Sequence, residues 1–353
     1  MQVFVSTALC VLAIVSNSHA WSALEHKAAA EVAQDQLTSA TNTKLAKILG
    51  DGSKLTPGRL AQLSMWPDEI RAIARGSGPP ADWSREDLAE AEQFNTIQPN
   101  NEQWHAVDLP VGAKRYPDLQ RPDDPDPARA FIRQEDMVHK LIQCIAILEE
   151  ESSDFTKKQA VRWLIHLAED IHQPLHTTSG YYDPASDLQN PVLIRDPQTA
   201  TDAHAIYDRR GHGLLFSAAV NLHAVWDDCL VKSALPLSCS ADDSEENIDR
   251  LAARLRQEVN KPASKGYKLT GDHHRWPEQW ATDSLSQAAG KKIWDLELQD
   301  GVVLPRSGED YVQAKITSPT KKAYLEKHKD LAIAQLTRAS MRLAQLLNTI
   351  DWK

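Results

Sequence analysis

Two stretches of the chain place a histidine four residues before an aspartate. His166 precedes Asp170, and His223 precedes Asp227. On a helix this spacing brings both side chains to one face, about one turn apart. Imidazole nitrogen and carboxylate oxygen are ligands of a borderline cation such as zinc, so the repeated pair, with His176 shortly after the first, predicts a metal site. The alternative is a pair of helices whose buried histidines are satisfied by neighbouring carboxylates.

Further residues in apolar or aromatic surroundings extend this candidate site. Polar groups are costly in such surroundings unless they are paired or metal-bound. Together the candidates could hold more than one tetrahedral ion, particularly if one aspartate bridges two ions. That arrangement is typical of a multi-zinc hydrolase, which activates water and clamps a phosphate. The candidate metal ligands are Trp21, His26, Asp68, His105, His166, Asp170, His176, His223 and Asp227.

The first twenty residues have the composition of a secretory signal. An apolar run covers residues 4–15, and small residues precede a cleavage position after Ala20, although no lysine or arginine stands before the run. Cleavage there would expose the α-amino group of Trp21. This amine and the carbonyl oxygen of the same residue could chelate a metal, with His26 about one turn further on; the alternative is that Trp21 is only a buried aromatic residue. We therefore expect a secreted or periplasmic protein.

Charge and cysteine content restrict the possible functions. The formal net charge of the 353-residue chain is −10, so no overall basic field would attract a polyanion. Nucleic-acid chemistry would need a local positive centre, such as a group of divalent ions. Apart from Cys10 in the predicted signal, three cysteines remain, which cannot all pair with one another. We predict a Cys229–Cys239 disulfide and a buried Cys144 thiol. No later run is long enough to cross a bilayer.

Apolar residues recur at helical spacing along most of the chain, which predicts an all-α protein. Residues 21–353 should form one domain without repeats or a strand-rich block. Residues 177–213 contain glycine, proline, aspartate and tyrosine with little periodicity, and we interpret them as a long insertion of the kind that forms lids or binding surfaces. The helices predicted around the metal motifs and in the last third cover residues 157–170, 216–230, 276–296 and 311–347, the last as one helix or two joined helices.

Five sequence blocks carry a family resemblance. They are Trp21-x4-His26 directly after the predicted signal, Trp66-Pro-Asp68-Glu-Ile-Arg71, Trp104-His105-Ala-Val-Asp108, His166-x3-Asp170-x3-Pro174-Leu-His176 and Asn221-Leu-His223-Ala-Val-Trp226-Asp227. In this order they strongly resemble the S1/P1 nucleases, zinc enzymes related to bacterial zinc phospholipase C. The last third of the chain is similar only as helical sequence.

The resemblance implies three zinc ions. The family's ligands can be carried over to matching positions in three sets. These sets are Asp68, His105, His166 and Asp170 for the first ion, His176, His223 and Asp227 for the second, and the amine and carbonyl oxygen of Trp21 with His26 and a shared Asp170 for the third.

The resemblance also implies a reaction. A hydroxide between the first and third ions would attack phosphorus in line, and the second ion would stabilise the departing 3′ oxygen, so that the product carries a 5′ phosphate. Arg71 and Asp108 match positions beside the family's metal cluster, and we expect them to contact phosphate or to orient ligands. The alternatives for these two residues are a surface salt bridge and a helix cap. With Asp68 and Asp170 they are the candidate catalytic residues.

The chain departs from the family pattern near the predicted ligands. Ser22 and Glu25 occupy positions where glycines are usual, and Asp228 follows the last ligand where a polar amide is common. Asp228 would add negative charge near the phosphate, which could slow turnover. Of the remaining histidines, we expect His172 to support the site or pack between helices. We expect the two in the insertion, His204 and His212, to be exposed, and His273 and His274 to lie in a loop.

The predicted function is hydrolysis of single-stranded DNA or RNA by a monomer without stable membrane insertion, with 3′-nucleotides as further substrates. One alternative is a phospholipase C-like zinc phosphodiesterase with an apolar, lipid-facing rim. Another is a zinc- or nucleic-acid-binding protein that keeps the ligands but is disabled by Asp228 and the insertion.

Overall fold

The computed structural model describes residues 21–149, 155–305 and 309–352, so the predicted signal lies outside the described residues. The fold is mostly helical, which confirms the predicted class. Short 3-10 helices cover Asn101–His105, Pro127–Phe131, Pro262–Tyr267 and His273–Arg275. The α-helices are α1 (Ala23–Gln34), α2 (Ser39–Leu49), α3 (Arg59–Ser64), α4 (Trp66–Ala74), α5 (Arg85–Ile97), α6 (Met137–Leu148), α7 (Lys157–Asp170), α8 (Pro174–Thr177), α9 (Pro197–Asp202), α10 (Leu222–Ala224), α11 (Leu230–Ala234), α12 (Glu245–Val259), α13 (Trp276–Gly290) and α14 (Lys321–Thr349).

Helix α7 is central to the core. A capping box starts it, in which Thr156 accepts from the backbone N–H of Gln159 and the Gln159 side chain accepts from the backbone N–H of Thr156. Every side chain from Gln159 to Asp170 is buried, because α3, α4, α6 and α14 all pack against this helix. A helix that is covered on all sides holds its side chains in fixed positions.

The described residues also contain strands that the sequence analysis did not predict. A six-strand path runs in the order β4-β3-β5-β9-β6-β7, and β8 pairs with β9 beside it; β1 and β2 form a separate parallel pair. The strands are β1 (Leu109–Pro110), β2 (Thr178–Ser179), β3 (Tyr181–Tyr182), β4 (Leu193–Ile194), β5 (Ile206–Tyr207), β6 (Leu214–Ser217), β7 (Val220–Asn221), β8 (Glu297–Leu304) and β9 (Tyr311–Ser318).

The helix predictions were wrong in three places. Residues 311–318 form β9, in which Val312, Ala314 and Ile316 are buried while Lys315 and Thr317 are exposed, a period-two pattern that favours a strand. The predicted helix at 216–230 begins only at residue 222, after β6 and β7. The predicted helix at 276–296 ends at Gly290.

The hairpin of β8 and β9 organises the insertion at 177–213. Strand β9 pairs in parallel with β5, inside the insertion, and with β6, just after it. The backbone N–H of Asp300 donates to the carbonyl oxygen of Gln189 at 3.0 Å. Gly301 lies so close to the insertion that a Cβ atom there would be 2.2 Å from the carbonyl oxygen of Leu188. The insertion is therefore held by residues about a hundred positions later in the sequence.

The cysteine predictions are confirmed. Cys229 and Cys239 form a disulfide, and Cys144 is a buried free thiol on α6. Among the described helices, none combines the length and apolar character that a membrane crossing requires.

Candidate metal centre

Four predicted ligands meet beside the end of α7, and we call Asp68, His105, His166 and Asp170 the inner cluster. His166 Nε2 lies 3.1 Å and His105 Nδ1 lies 3.2 Å from Asp170 Oδ2. The two imidazole nitrogens are 2.9 Å apart. Asp68 Oδ1 lies 3.8 Å from each of these nitrogens. All four side chains are buried.

Three different elements position the inner cluster. His166 and Asp170 are one turn apart on α7, as the spacing predicts. Asp68 lies in the first turn of α4, after a proline at the helix start. His105 ends the short 3-10 helix Asn101–His105. The sequence therefore brings ligands from three segments to one point through the packing of α4 and the 3-10 helix on α7.

Three of the remaining predicted ligands, His176, His223 and Asp227, form an outer cluster. His223 Nε2 lies 3.3 Å from Asp227 Oδ2, and His176 Nε2 lies 3.9 Å from Asp227 Oδ1. His176 comes from α8, which begins at Pro174. His223 lies in α10, and Asp227 lies in the five-residue π-helical turn Val225–Cys229 that follows it.

The N-terminal part of the described chain lies between the two clusters. Trp21 is fully buried, and its indole N–H donates to the carbonyl oxygen of Glu169 at 3.2 Å. The backbone N–H of Ser22 donates to the carbonyl oxygen of Asp227 at 2.9 Å. His26 Nε2 lies 3.4 Å from Asp170 Oδ1, the carboxylate oxygen that does not face the inner cluster. Asp170 thus has one oxygen towards His26 and the other towards the inner cluster.

These separations fit shared zinc ions. Two donors that each lie 2.0–2.1 Å from one tetrahedral zinc are about 3.4 Å apart, close to most of the separations above. Within each of three fully buried triads of candidate ligands, the ligand atoms lie within 4.8 Å of one another; these triads are His105–His166–Asp170, His26–Asp68–His166 and His176–His223–Asp227. His26 Nε2, Asp170 Oδ1 and His176 Nε2 are buried without a hydrogen-bond partner among the described residues. A cation would satisfy atoms that the protein leaves unsatisfied.

Four of the five candidate histidines use their second ring nitrogen in the way that metal-binding histidines do. A zinc-bound histidine usually donates its other N–H to a carboxylate or a carbonyl oxygen, which fixes the ring. Each of these four histidines has an oxygen within hydrogen-bond distance of Nδ1. The pairs are His26 with Glu169 Oε2 at 2.6 Å, His166 with Ser64 O at 2.7 Å, His176 with His105 O at 2.8 Å, and His223 with Arg210 O at 2.8 Å.

The pKa shifts differ among the candidate ligands, and burial raises the pKa of Asp227 well above its usual range. Burial lowers the pKa of His105 to about 3 and that of His176 to about 4. Burial opposes a charge on Asp170, but His166 and His176 lower its pKa well below the usual range. Burial also opposes a charge on His26, yet Asp170 and Glu169 raise its pKa to about 10. The surroundings of His26 therefore favour positive charge, which a metal ion would supply in place of a proton.

Glu169 is a site residue that the sequence analysis missed. It precedes Asp170, and burial raises the pKa of its carboxyl group to about 7. Its hydrogen bond with His26 Nδ1 fixes that imidazole. Its position inside the central motif, directly before Asp170, could have identified it. It was missed because the prediction used only the four-residue spacing of His166 and Asp170.

Arg71 and Asp108 lie beside the clusters. Arg71, on α4, is buried and forms an ion pair with Asp68. Asp108, three residues after His105, accepts from the hydroxyl of Ser179 at 2.9 Å. Arg210 Nη1 approaches both Asp108 carboxylate oxygens, at 3.4 and 3.3 Å. Both Ser179 and Arg210 lie in the insertion, and neither contact was predicted.

Arg210 lies in a strained turn. The φ angles of Arg209, Arg210 and Gly211 are 54°, 58° and 82°, all in the left-handed region. Each non-glycine residue there costs about 1–2 kcal/mol, so the surroundings must compensate. The backbone N–H of Arg210 donates to Ser179 Oγ at 3.1 Å, and that of Gly211 donates to Asp208 Oδ1 at 2.9 Å.

The expected exposure of His212 was wrong, whereas that of His204 is confirmed. The imidazole of His212 stacks on that of His223, with ring centroids 3.7 Å apart. Burial lowers the pKa of His212 well below its usual range. His212 therefore packs against the outer cluster as a neutral ring, because the strained turn folds this part of the insertion back onto α10.

The departures from the family pattern are compensated locally. Asp228 forms an ion pair with Lys232 at 2.6 Å, which reduces its effect on the adjoining cluster. Glu25 is buried and accepts from the hydroxyl of Ser22. Burial, followed by the charge of Asp228, raises the pKa of Glu25 well above its usual range, which favours a neutral carboxyl group at this position.

Two other groups of histidines lie outside the two clusters. His273 and His274 begin the short 3-10 helix before α13, and their Nε2 atoms lie 2.8 and 3.0 Å from the two carboxylate oxygens of Glu149. His172 is buried, with Nδ1 2.7 Å from the carbonyl oxygen of Ala168 and Nε2 3.3 Å from Arg342 Nη1. His172 therefore packs between α7 and α14.

Comparison with known proteins agrees with this geometry. The family model for S1/P1 nuclease matches residues 21–351. This match covers nearly all of the described chain, including the last third, where the resemblance in sequence was weakest. No curated protein gives a significant match. The chain belongs to the S1/P1 nuclease family.

Proposed function

We propose that the protein is a three-zinc nuclease that hydrolyses phosphodiester bonds of single-stranded DNA or RNA and leaves 5′ phosphates. The observation that carries this proposal is the position of Asp170, since one of its oxygens faces His26 and the other faces His105 and His166. A carboxylate that faces two groups of imidazoles is suited to bridge two ions. The S1/P1 family is zinc-dependent, and its members are nucleases, which supports the same reaction class.

The ligand sets of this proposal combine the two clusters with the N-terminal ligands that the family resemblance implies. The inner cluster would hold one ion and the outer cluster a second. The amine and carbonyl oxygen of Trp21, with His26 and the second oxygen of Asp170, would hold a third. When bound, the ions would lower the pKa of water and neutralise the charge of the phosphate.

The protein's own side chains have distinct tasks in this mechanism. Glu169 and three backbone carbonyl oxygens fix four imidazole rings, so the ligands need little rearrangement. Arg71 places a permanent positive charge beside Asp68, where it can bind a phosphate oxygen. Asp108 lies at the junction between the 3-10 helix and the insertion, and we assign it to orient Arg210.

The zinc content and the activity should be measured on one sample. The protein is purified, its N-terminus is sequenced, zinc is counted, and cleavage of single-stranded DNA is assayed before and after chelation. We expect a Trp21 start, as predicted for a secreted or periplasmic monomer, near three zinc ions and cleavage that chelation abolishes and zinc restores. A 3′-nucleotide assay on the same sample tests the wider substrate range.

Other outcomes would separate the alternatives. Three zinc ions with phosphatidylcholine hydrolysis faster than DNA cleavage would replace the proposal with a phospholipase C-like activity. Three zinc ions without turnover of any phosphoester would favour a binding protein. One zinc ion or none would contradict the proposed ligand sets.

A further inference from the structure

The insertion brings a guanidinium group to the edge of the metal centre. Arg210 is the residue that does so, and its side chain remains 27% exposed while it contacts Asp108. Its own carbonyl oxygen lies 2.8 Å from Nδ1 of His223, an outer-cluster histidine. Arg210 is thus anchored to the outer cluster through its backbone and faces Asp108 through its side chain.

The backbone of the turn around Arg210 is strained and is held by a buried hydrogen-bond network, neither of which a surface salt bridge needs. Three successive residues have left-handed φ angles, and two of them are arginines. Asp208, which is fully buried, accepts from the backbone N–H of Gly211 at 2.9 Å and of Gly180 at 3.1 Å, and from the indole N–H of Trp294 at 2.7 Å. Strain that is maintained by such a network suggests a functional requirement for this backbone path.

The alternative is that Arg210 only forms a structural ion pair. Its distances to the Asp108 oxygens, 3.3 and 3.4 Å, are longer than those of a strong bidentate pair. A partly exposed guanidinium with a long contact can exchange its carboxylate for a phosphate, which offers the same planar pair of oxygens. The phosphate would lie between the Arg210 guanidinium and the outer cluster.

We propose that Arg210 forms a phosphate-binding subsite, supplied by the insertion, that binds the non-bridging oxygens of the substrate phosphate beside the outer cluster. This inference rests on the proposed function, since it assigns a role within the same site. In the absence of substrate, Asp108 holds the guanidinium in place. The ligand class is a phosphate monoester or diester anion.

The test compares two neighbouring arginines in the zinc-loaded protein. Arg210→Gln removes the proposed phosphate ligand. Arg209→Gln is the matched control, because it makes the same change in charge within the same turn, but the Arg209 guanidinium lies over the ring of Tyr311, 4.9 Å from its centroid. Arg210→Lys retains the charge without the planar fork. For each variant we would count zinc, measure binding of inorganic phosphate by calorimetry, and determine kcat and KM on single-stranded DNA.

Arg210→Gln should weaken phosphate binding and lower kcat/KM by about ten- to a hundredfold, with zinc content unchanged. Arg210→Lys should recover part of both losses, and Arg209→Gln should resemble the unmodified protein. Equal phosphate affinity in the two glutamine variants would overturn the inference. Loss of zinc in Arg210→Gln would also overturn it, because the residue would then act by positioning His223. If the unmodified protein cleaves no nucleic acid, the proposed function fails, but phosphate calorimetry still decides the role of Arg210.

Discussion

Helix α7 and the insertion at 177–213 contribute to the same metal centre by different physical means. The helix supplies His166 and Asp170 at a spacing that a helix converts directly into proximity. The insertion supplies Arg210 through left-handed backbone angles, a buried aspartate and pairing with β9. The comparison indicates that the ligand geometry depends on local structure and core packing, whereas the edge of the site depends on remote contacts.

The largest expected effect tests the α7 side of this comparison. Asp170→Asn keeps the size of the side chain but removes the charge between His26 and the inner cluster. We expect two zinc ions to be lost and kcat to fall by about three orders of magnitude or more. Zinc counting and a DNA cleavage assay would check this. Retention of all three ions would contradict the bridging position of Asp170.

A change at the N-terminus should remove one ion only. Residues added before Trp21 convert its amine into an amide, which no longer offers the lone pair that a metal ligand needs. We expect about two zinc ions per chain, with nuclease activity strongly reduced. The control is the same protein after proteolytic removal of the added residues. Full activity while the extension is demonstrably present would exclude the N-terminal ligand.

An intermediate effect is expected from the residue that orients His26. Glu169→Gln preserves a hydrogen-bonding side chain but removes the negative charge beside Nδ1, 2.6 Å away in the structure. Loss of such an outer partner costs about ten- to a hundredfold in metal affinity or activity. Competition with a zinc chelator would measure the affinity. An unchanged zinc affinity would show that Glu169 does not contribute to metal binding, and that α7 acts only through its ligands His166 and Asp170.

The insertion side can be tested at the strained turn. A Cβ at Gly211 would lie 2.9 Å from Leu175 Cδ2 at a φ of +82°. Gly211→Ala should therefore destabilise the protein by about 1–3 kcal/mol and lower activity by about tenfold, because Arg210 and His223 would shift. Gly50→Ala is the control, since Gly50 has a similar φ of +77° with nothing within 4 Å.

Chemical denaturation and kinetics would separate these two glycines. Both variants should lose stability through backbone strain, but only Gly211→Ala should lose activity when the assay is run well below its unfolding midpoint. Equal activity in the two variants would show that the edge of the site tolerates movement of the turn.

The smallest expected effect is on the pH dependence of the free energy of unfolding, through His328, which packs behind the outer cluster. His328 on α14 is buried against Tyr324, with ring centroids 4.4 Å apart, and burial lowers its pKa to about 4. Because the folded-state pKa is below the unfolded value of about 6.5, its stabilising contribution is present above that pH and is lost as pH falls towards 4.

His328→Phe removes this titration and keeps an aromatic ring. Between pH 7 and pH 5 the unmodified protein should lose about 2 kcal/mol more of its free energy of unfolding than the variant. Denaturant unfolding of both proteins at equal zinc would measure the difference, since loss of zinc on acidification affects both. Parallel pH curves would contradict a neutral, buried His328.

The sequence could predict the parts of the site that lie within short spacings. His166 with Asp170, and His223 with Asp227, are close because each pair is four residues apart in a helical segment. The approach of His105 to His166 across sixty-one residues could be predicted only from the family resemblance. The contacts between ligands could therefore be predicted either from helical spacing or from the family resemblance. The assignment of each ligand to a particular zinc ion stays a prediction.

The remaining features depend on contacts that no short pattern reveals. The position of Arg210 depends on a turn in which Arg209 and Arg210 have left-handed φ angles. Glycine usually marks such angles in a sequence, but here the first glycine of the turn is Gly211. The hairpin was missed because Tyr311–Ser318 was joined to the long helix that follows, although its apolar residues alternate. The stacking of His212 on His223 follows from that same tertiary arrangement.

The dependence of the insertion on β9 has a consequence for biosynthesis. A chain is made from its N-terminus, and α7 can pack with α3, α4 and α6 once residue 170 has been synthesised. Strand β5 has no β9 to pair with until residue 311 has been made. The ligands of the inner cluster can thus be brought near one another on a nascent chain before Arg210 reaches its place, whereas α14, which completes the packing around α7, and the pairing of the insertion with β9 both form only after the last third has been made.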